Sequence, residues 1–368
     1  MHGQWIGRFK GQNTPDGLLM LDLDEFSDHY AGWGSSYPDD PNHPGSTAEI
    51  KTTNKSLPIN LDVTLLPVDR LTNKVMSSLP EGFPYPRTAH VSVTRREDNN
   101  LDVDVRTDIN TAISAMLIQQ PDGELSRRVP LKEITTWVAF RDLATSEPFR
   151  RYIYRGQSQP YRLRTSFHRT GRADIQRYQR VAVINLHRHL SAKTQHLFDL
   201  STPDENGSFL NLAQHHGFPT PLLDWTYSPF VAAFFAYRNV TAKDTQEEER
   251  RVRLFAFDKE LWTRNRHQIP AMAAFGPHFS TIEFIAIENQ RHIPQQSIST
   301  VTNVSDIELY LEWIEQLDHC EYLRVIDLPA SQRDIAMREL SIMGITAGSL
   351  FPGLDGSCEQ MREEYFTR

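Results

Sequence analysis

The stretch Leu212-Ala213-Gln214-His215-His216-Gly217-Phe218-Pro219-Thr220-Pro221-Leu222-Leu223-Asp224-Trp225-Thr226 holds the densest run of chemically capable side chains in this 368-residue chain. Its first half reads as the end of a helix, with Gly217 supplying the C-terminal cap and the prolines ordering a turn behind it. Residues 229–237 (PFVAAFFAY) follow, apolar all round and therefore a buried helix. Asp224 or Thr226 is placed to N-cap that helix, which is the plain structural account of the aspartate. For His215 and His216 the plain account is a hydrogen-bonded helix end. Adjacent histidines leave a helix in different directions, so a shared metal is not expected, and no second ligand set lies nearby at metal spacing.

Two further clusters flank this one. Upstream, Tyr152-Ile153-Tyr154-Arg155-Gly156-Gln157 alternates like a short strand, with Arg155 where strand meets glycine. An arginine there is either a surface ion pair or a bidentate grip on a phosphate or carboxylate, the glycine allowing close approach. Downstream, Asn289-Gln290-Arg291-His292-Ile293-Pro294-Gln295-Gln296-Ser297 crowds amides and a guanidinium into a loop after an expected strand at 282–287.

The rest of the chain divides into unlike halves. Residues 1–128 read as β-rich: strand-like segments at 4–10, 17–23 and 59–66, a hairpin between 90–94 and 101–105, and a polar, proline-bearing loop at 35–45. An antiparallel sandwich or open barrel suits that spacing. This half carries no phosphate loop, nucleophile motif or metal cluster, which leaves an accessory or recognition role. A helix at about 131–143 joins it, within a connector spanning 129–148, to a domain at 149–368. Between 149 and 193 fall eleven basic residues opposed only by Asp174, in a chain whose net charge is −8. That run, on a helix expected across 173–198, is either a solvated face or a phosphate-binding surface. Amphipathic helices are expected at 306–317 and 331–343. No apolar run approaches the ~20 residues needed to span a bilayer, the opening segment has no apolar core of signal-peptide type, and Cys320 and Cys358 are too few for a disulfide scaffold. The expectation is a cytoplasmic protein without a membrane partner.

Taken in order, the clusters resemble the FRG domain: YRGQ at 154–157, AQHHGFPTPLLDWTYSPFVAAFFA at 213–236, NQRHIPQQ at 289–296 and GITAGSLFPGLDG at 344–356. The resemblance covers residues 152–361. Pro221 stands where the family usually has arginine, and Ser297 and Ser299 stand where it has glycine and an aromatic residue. The implied fold is α+β, a β-rich domain followed by an α+β FRG domain. The order of arginine–glycine strand, aromatic segment and late amide also resembles that of ADP-ribosyltransferases.

That second resemblance implies NAD as substrate, no metal, and a transferase acting on a nucleic acid, RNA before DNA, or less favourably a protein. An enzyme of this kind would serve as a toxin or defence effector held by an antitoxin or regulatory protein. The implied catalytic set is Arg155, Asp224, Gln295 and His215. Tyr154, Gly156, Gln157, Gln214, Thr220, Trp225, Thr226 and Arg291 are implied to hold NAD, with Trp225 stacking on a ring and Gln295 in the late-strand position usually filled by glutamate. Asp224, Glu283, Glu288 and the acceptor itself remain open as the base. A non-catalytic nucleotide- or partner-binding module is the alternative.

Overall fold

The computed structural model describes residues 1–79, 82–121 and 123–366. Its first half is one antiparallel sheet of β1 (Gly3–Gln12), β2 (Gly17–Glu25), β3 (Tyr30–Pro38), β4 (Gly45–Thr52), β5 (Ile59–Thr64), β6 (Leu66–Val68), β7 (Thr88–Arg95), β8 (Leu101–Thr107) and β9 (Ala112–Leu117). The strand order is β5-β7-β8-β9-β1-β2-β3-β4-β6, and the sheet curls until β4 lies near β5, making a nearly closed barrel. The inward positions of successive strands, among them Trp5, Phe9, Leu19, Leu21, Leu23, Val91, Val103 and Leu117, fill it. The hairpin expected around 97–100 is β7–β8. The loop expected at 35–45 is shorter, because residues 35–38 continue β3: Ser35 lies on the outer face opposite Met20, and its hydroxyl meets that of Thr47 at 3.0 Å, so a polar run is accommodated in a strand.

The second half is built on a six-stranded antiparallel sheet of β10 (Tyr152–Gln157), β11 (Leu222–Thr226), β12 (Arg251–Asp258), β13 (Phe279–Ile282), β14 (Ser297–Thr302) and β15 (Leu323–Pro329), ordered β13-β14-β11-β10-β12-β15. Helices α1 (Trp137–Ser146), α2 (Ile175–Arg177), α3 (Ile184–Leu190), α4 (Pro203–His215), α5 (Pro229–Tyr237), α6 (Lys259–Asn265), α7 (Ile307–Asp318), α8 (Arg333–Ile342), α9 (Ala347–Leu350) and α10 (Leu354–Phe366) surround it. One face packs on α5, α1 and α8 through Val231, Phe234, Tyr237, Trp137 and Leu340. The other packs on α6 and α7 through Trp262, Ile307 and Leu311. A sheet covered on both faces needs apolar residues at consecutive positions, and β12 accordingly buries seven residues in a row from Val252 to Asp258.

Two local expectations change. Residues 222–226 form the strand β11 rather than a turn, and Asp224 is not a cap: Ser228 accepts the amide of Val231 at 3.2 Å at the start of α5. The strand expected at 282–287 is displaced upstream to β13, which ends at Ile282. Gly217 does take the left-handed backbone, φ +86°, behind α4.

The halves are fastened together along the outer face of β1 and β2. Ile6, Leu18 and Met20 pack against Val304, Phe275, Leu309 and Trp313. The Gln4 amide bridges Asp22 and the Asn303 carbonyl, at 2.7 and 2.6 Å, and accepts from the Ser305 amide at 2.6 Å. Asp24, 1% exposed, receives Arg172 Nε at 2.8 Å and the Ala173 amide at 3.0 Å. This explains why β2 (GLLMLDLDE) is buried at eight consecutive positions: its inner face is barrel core and its outer face is interface. No helix among the described residues is long and apolar enough to cross a membrane.

Candidate functional site

β10 lies between β11 and β12 but treats them differently. With β12 it forms a continuous ladder from Tyr152↔Asp258 to Gln157↔Arg253, whereas with β11 it pairs only at Tyr154↔Thr226. Beyond that point the two strands part. Arg155 Nη1 spans the opening and donates to the Asp224 carbonyl at 2.6 Å, so a side chain supplies a bond the ladder lacks. The parting strands form the floor of a cleft of about 870 Å³. Its walls come from β10, β11, the C-terminal end of α4, the 289–297 loop, α5, and Gln120, Pro121, Gly123 and Glu124 after β9.

Gly156 has a structural duty here. A Cβ on it would lie 1.8 Å from the Ala232 carbonyl oxygen, so its bareness lets α5 press against β10. The close approach expected of a ligand is made by the protein's own helix.

Asp224 is held in the cleft wall by a chain of side chains. Thr220 Oγ1 donates to Gln214 Oε1, and Gln214 Nε2 donates to Asp224 Oδ2 at 2.5 Å. Thr220 is fully buried and does not line the cleft, so it acts by orienting Gln214. His215 borders the same space with its Nδ1 enclosed and unpartnered. Burial lowers its pKa, Asp224 opposes that, and the Arg291 cation adds to it; the imidazole is neutral at pH 7.

Arg155, Arg169 and Arg291 line the cleft, and among the described residues none of the three is ion-paired to a carboxylate. Burial pulls the Arg155 guanidinium down to about 10, against the pull of Asp224 and with that of Arg169. Arg155 Nε is enclosed without a partner. Arg291 lies 5.3 Å from the centroid of the Phe351 ring, which also borders the cleft. Arg162 is different: it is neutralised by Glu124 at 2.9 Å and Asp306 at 2.6 Å.

Of the twelve residues expected at the site, all but Thr220 border the cleft. Several have their side chains otherwise engaged. Trp225 is 3% exposed, its indole packed near Phe257 and donating to Thr300 Oγ1 at 3.0 Å, so stacking on a ligand ring would require repacking. Tyr154 belongs to the core under α5, and Thr226 donates to the Gln295 carbonyl at 2.7 Å. Gln295 lies in the turn before β14 rather than on a strand, and its amide donates to the Leu350 carbonyl at 2.9 Å. Among the open base candidates, Glu283 is tied to Lys259 at 2.6 Å on the surface and Glu288 accepts the amides of Gln195 and His196, both at 2.7 Å. Neither lines the cleft; Asp224 does.

The basic run disperses on folding. Arg151 pairs with Asp258, Arg172 with Asp24, and Arg177 lies over Phe26 of the barrel. Arg180, Arg188 and Lys193 remain exposed, on and just beyond the helical stretch 175–190, which contains a π-helical segment at 178–183. The cleft residues Gln120, Glu124, Arg169 and Phe351 had escaped the site expectation. Arg169 carried a signal, as part of the basic run; Gln120 carried none.

The fold and cleft define a two-part α+β protein with a cation-lined pocket. Comparison with family models identifies residues 150–245 as an FRG domain. The matched span contains Arg155, Gln214, His215 and Asp224, while Arg291, Gln295 and Phe351 lie beyond it. A redesigned β-barrel is among the solved structures that resemble the chain, at 13% identity over 33% of this chain and 91% of the barrel, with a TM-score of 0.22. No curated protein matches the chain.

Proposed function

We propose that the cleft binds NAD and that the FRG domain transfers its ADP-ribose to an acceptor. The observation that supports this most is the meeting in one cleft of three guanidiniums lacking carboxylate partners with the held carboxylate of Asp224. Guanidiniums match phosphate oxygens bidentately, and leaving them unpaired in a partly enclosed site is costly unless an anion arrives. About 870 Å³ falls within the range of small-molecule sites and leaves room for two linked nucleotides.

In the proposed reaction Arg155 and Arg169 hold the diphosphate. The bond between nicotinamide nitrogen and ribose C1′ breaks, and nicotinamide leaves with the electron pair as a neutral molecule. The Asp224 carboxylate faces the positive charge that develops on the ribose, as carboxylates do in glycoside cleavage. The acceptor forms the new bond to C1′ and gives its proton to neutral His215. Gln295, engaged by Leu350, shapes the wall and takes no proton. Exposed Arg180, Arg188 and Lys193 favour an acidic acceptor, RNA before DNA, with a protein second. Such an activity suits a toxin or defence effector under the control of an inhibitory partner.

Protein incubated with NAD labelled in its adenylate phosphate, together with cellular RNA, DNA or lysate, is expected to release nicotinamide and transfer label. Asp224→Asn should abolish both. NAD binding without nicotinamide release under any condition would replace the transferase with a non-catalytic nucleotide-binding module, and no NAD binding would overturn both readings.

A further inference from the structure

Gln120 comes from the segment that follows β9, outside the matched FRG span, yet it lines the cleft. It is 7% exposed, and its Oε1 is enclosed without a hydrogen-bond partner. A buried amide oxygen without a donor costs about 1–3 kcal/mol, so native proteins rarely leave one empty without a use for it.

The chemistry of the orphan restricts what can satisfy it. An amide oxygen needs an N–H or O–H donor. Phosphate oxygens at neutral pH are almost entirely acceptors, and the cleft already offers guanidiniums for them. The terminal torsion of a glutamine amide is soft and two-fold, so a half-turn exchanges its oxygen and nitrogen at low cost. Such a group suits a nucleoside, whose hydroxyls and exocyclic amino groups donate while ring nitrogens accept.

The placement of Gln120 is itself secured. Two main-chain bonds tie Glu124 and Ser126 to the loop after β10: the Arg162 amide to the Glu124 carbonyl at 3.0 Å and the Ser126 amide to the Pro160 carbonyl at 2.8 Å. The Glu124 carboxylate adds its pair with Arg162. Glu124 and Ser126 are thereby fixed beside the loop after β10 and are not part of a free tether.

We propose that Gln120 is a specificity-determining residue of the cleft, contributed from outside the FRG span, which recognises a hydrogen-bond donor on the nucleoside part of the ligand. This rests on the nucleotide reading above and names which part of the nucleotide is read, and by which residue.

The test is calorimetric titration of the full chain and its Gln120→Leu variant with ADP, inosine diphosphate and inorganic pyrophosphate. Gln120→Leu is expected to weaken ADP about tenfold while pyrophosphate affinity stays within twofold. If inosine diphosphate affinity is unaffected, the donor recognised is the exocyclic amino group; if it falls equally, the donor is a ribose hydroxyl. Unchanged ADP affinity beside intact pyrophosphate binding overturns the role of Gln120 and leaves the nucleotide reading standing. Equal weakening of ADP and pyrophosphate overturns it as well, since that marks a disturbed cleft wall. Absence of binding of all three ligands to the unaltered chain overturns both.

Discussion

The two sheets of this protein solve the same packing problem differently. The barrel is a single, nearly closed sheet, whose inner face makes its own core and whose outer face is polar on β7 and β8 and interface on β1 and β2. The six-stranded sheet is open and covered by helices on both faces. Closure leaves few unpaired strand groups, and the barrel correspondingly has continuous ladders from β5 through β4. The open sheet tolerates an interruption in its middle, between β10 and β11, and the cleft sits there. A site needs a break in regular pairing, because backbone groups and side chains committed to a ladder and core have nothing left to offer a ligand.

The sharpest contrast is expected between two particular glycines, one in each half. Gly156→Ala drives a methyl group into the backbone of α5 and is expected to destabilise the chain by about 3 kcal/mol or more. Gly34→Ala in the barrel meets only the methyls of Ile50 and Leu21, at 3.0 and 3.2 Å, and should cost about 1 kcal/mol or less. Urea denaturation midpoints check the pair, and similar losses would remove the distinction.

Next comes the seam. Asp24→Ala strips partners from Arg172 and the Ala173 amide and should cost about 2–3 kcal/mol. It should also raise hydrogen exchange in the segment around 172–174 more than inside the barrel. Uniform loss of protection would mean that the two halves unfold as one unit.

The response of the buried histidines to acid is smaller and belongs to the second half. Burial pushes His168 and His278 down to about 3, and lowers His215 as well. Below the ordinary histidine value of 6.5 the unfolded chain takes up protons that the folded chain refuses, so these groups make stability fall as pH drops through that window. Asp306, raised by burial to about 6, acts oppositely: its contribution falls as pH rises from 3.8 to 6. Replacing His168 with Gln isolates one group. The variant's stability should vary less between pH 6 and 5, by up to about 1.4 kcal/mol per pH unit, as followed by thermal or urea melts. An unaltered slope would contradict the buried neutral state.

The smallest effect is expected at the exposed cations. Arg180→Glu with Arg188→Glu should shift stability by no more than about 0.5 kcal/mol. If RNA is the acceptor, the same change should weaken its binding more at low salt than at high. Binding that ignores salt would count against an electrostatic acceptor surface.

Much of the local structure was legible in single segments. The cap at Gly217, the all-apolar α5 and the β7–β8 hairpin each follow from short-range pattern and turn chemistry. Misreadings arose where tertiary partners intervened. Ser35 joins β3 because Thr47 meets it across the ladder, and 222–226 becomes a central strand because β10 and β14 flank it. Arg155, Asp224 and His215 could be singled out by type and neighbourhood, since they carry the chemistry wherever the chain puts them.

The sequence by itself determined which residues have chemistry to offer, that the chain has two unlike halves, and where an FRG-like order of motifs runs. Only the tertiary structure decided which groups remain free to use that chemistry. Trp225, Arg172 and Gln295 are engaged by partners far along the chain, whereas Gln120, unmarked in sequence, keeps an unpartnered amide oxygen in the cleft. The reason is physical: residue type fixes a side chain's capacity to donate, accept or carry charge, but hydrogen bonds and burial spend that capacity, and both are settled only when distant segments meet.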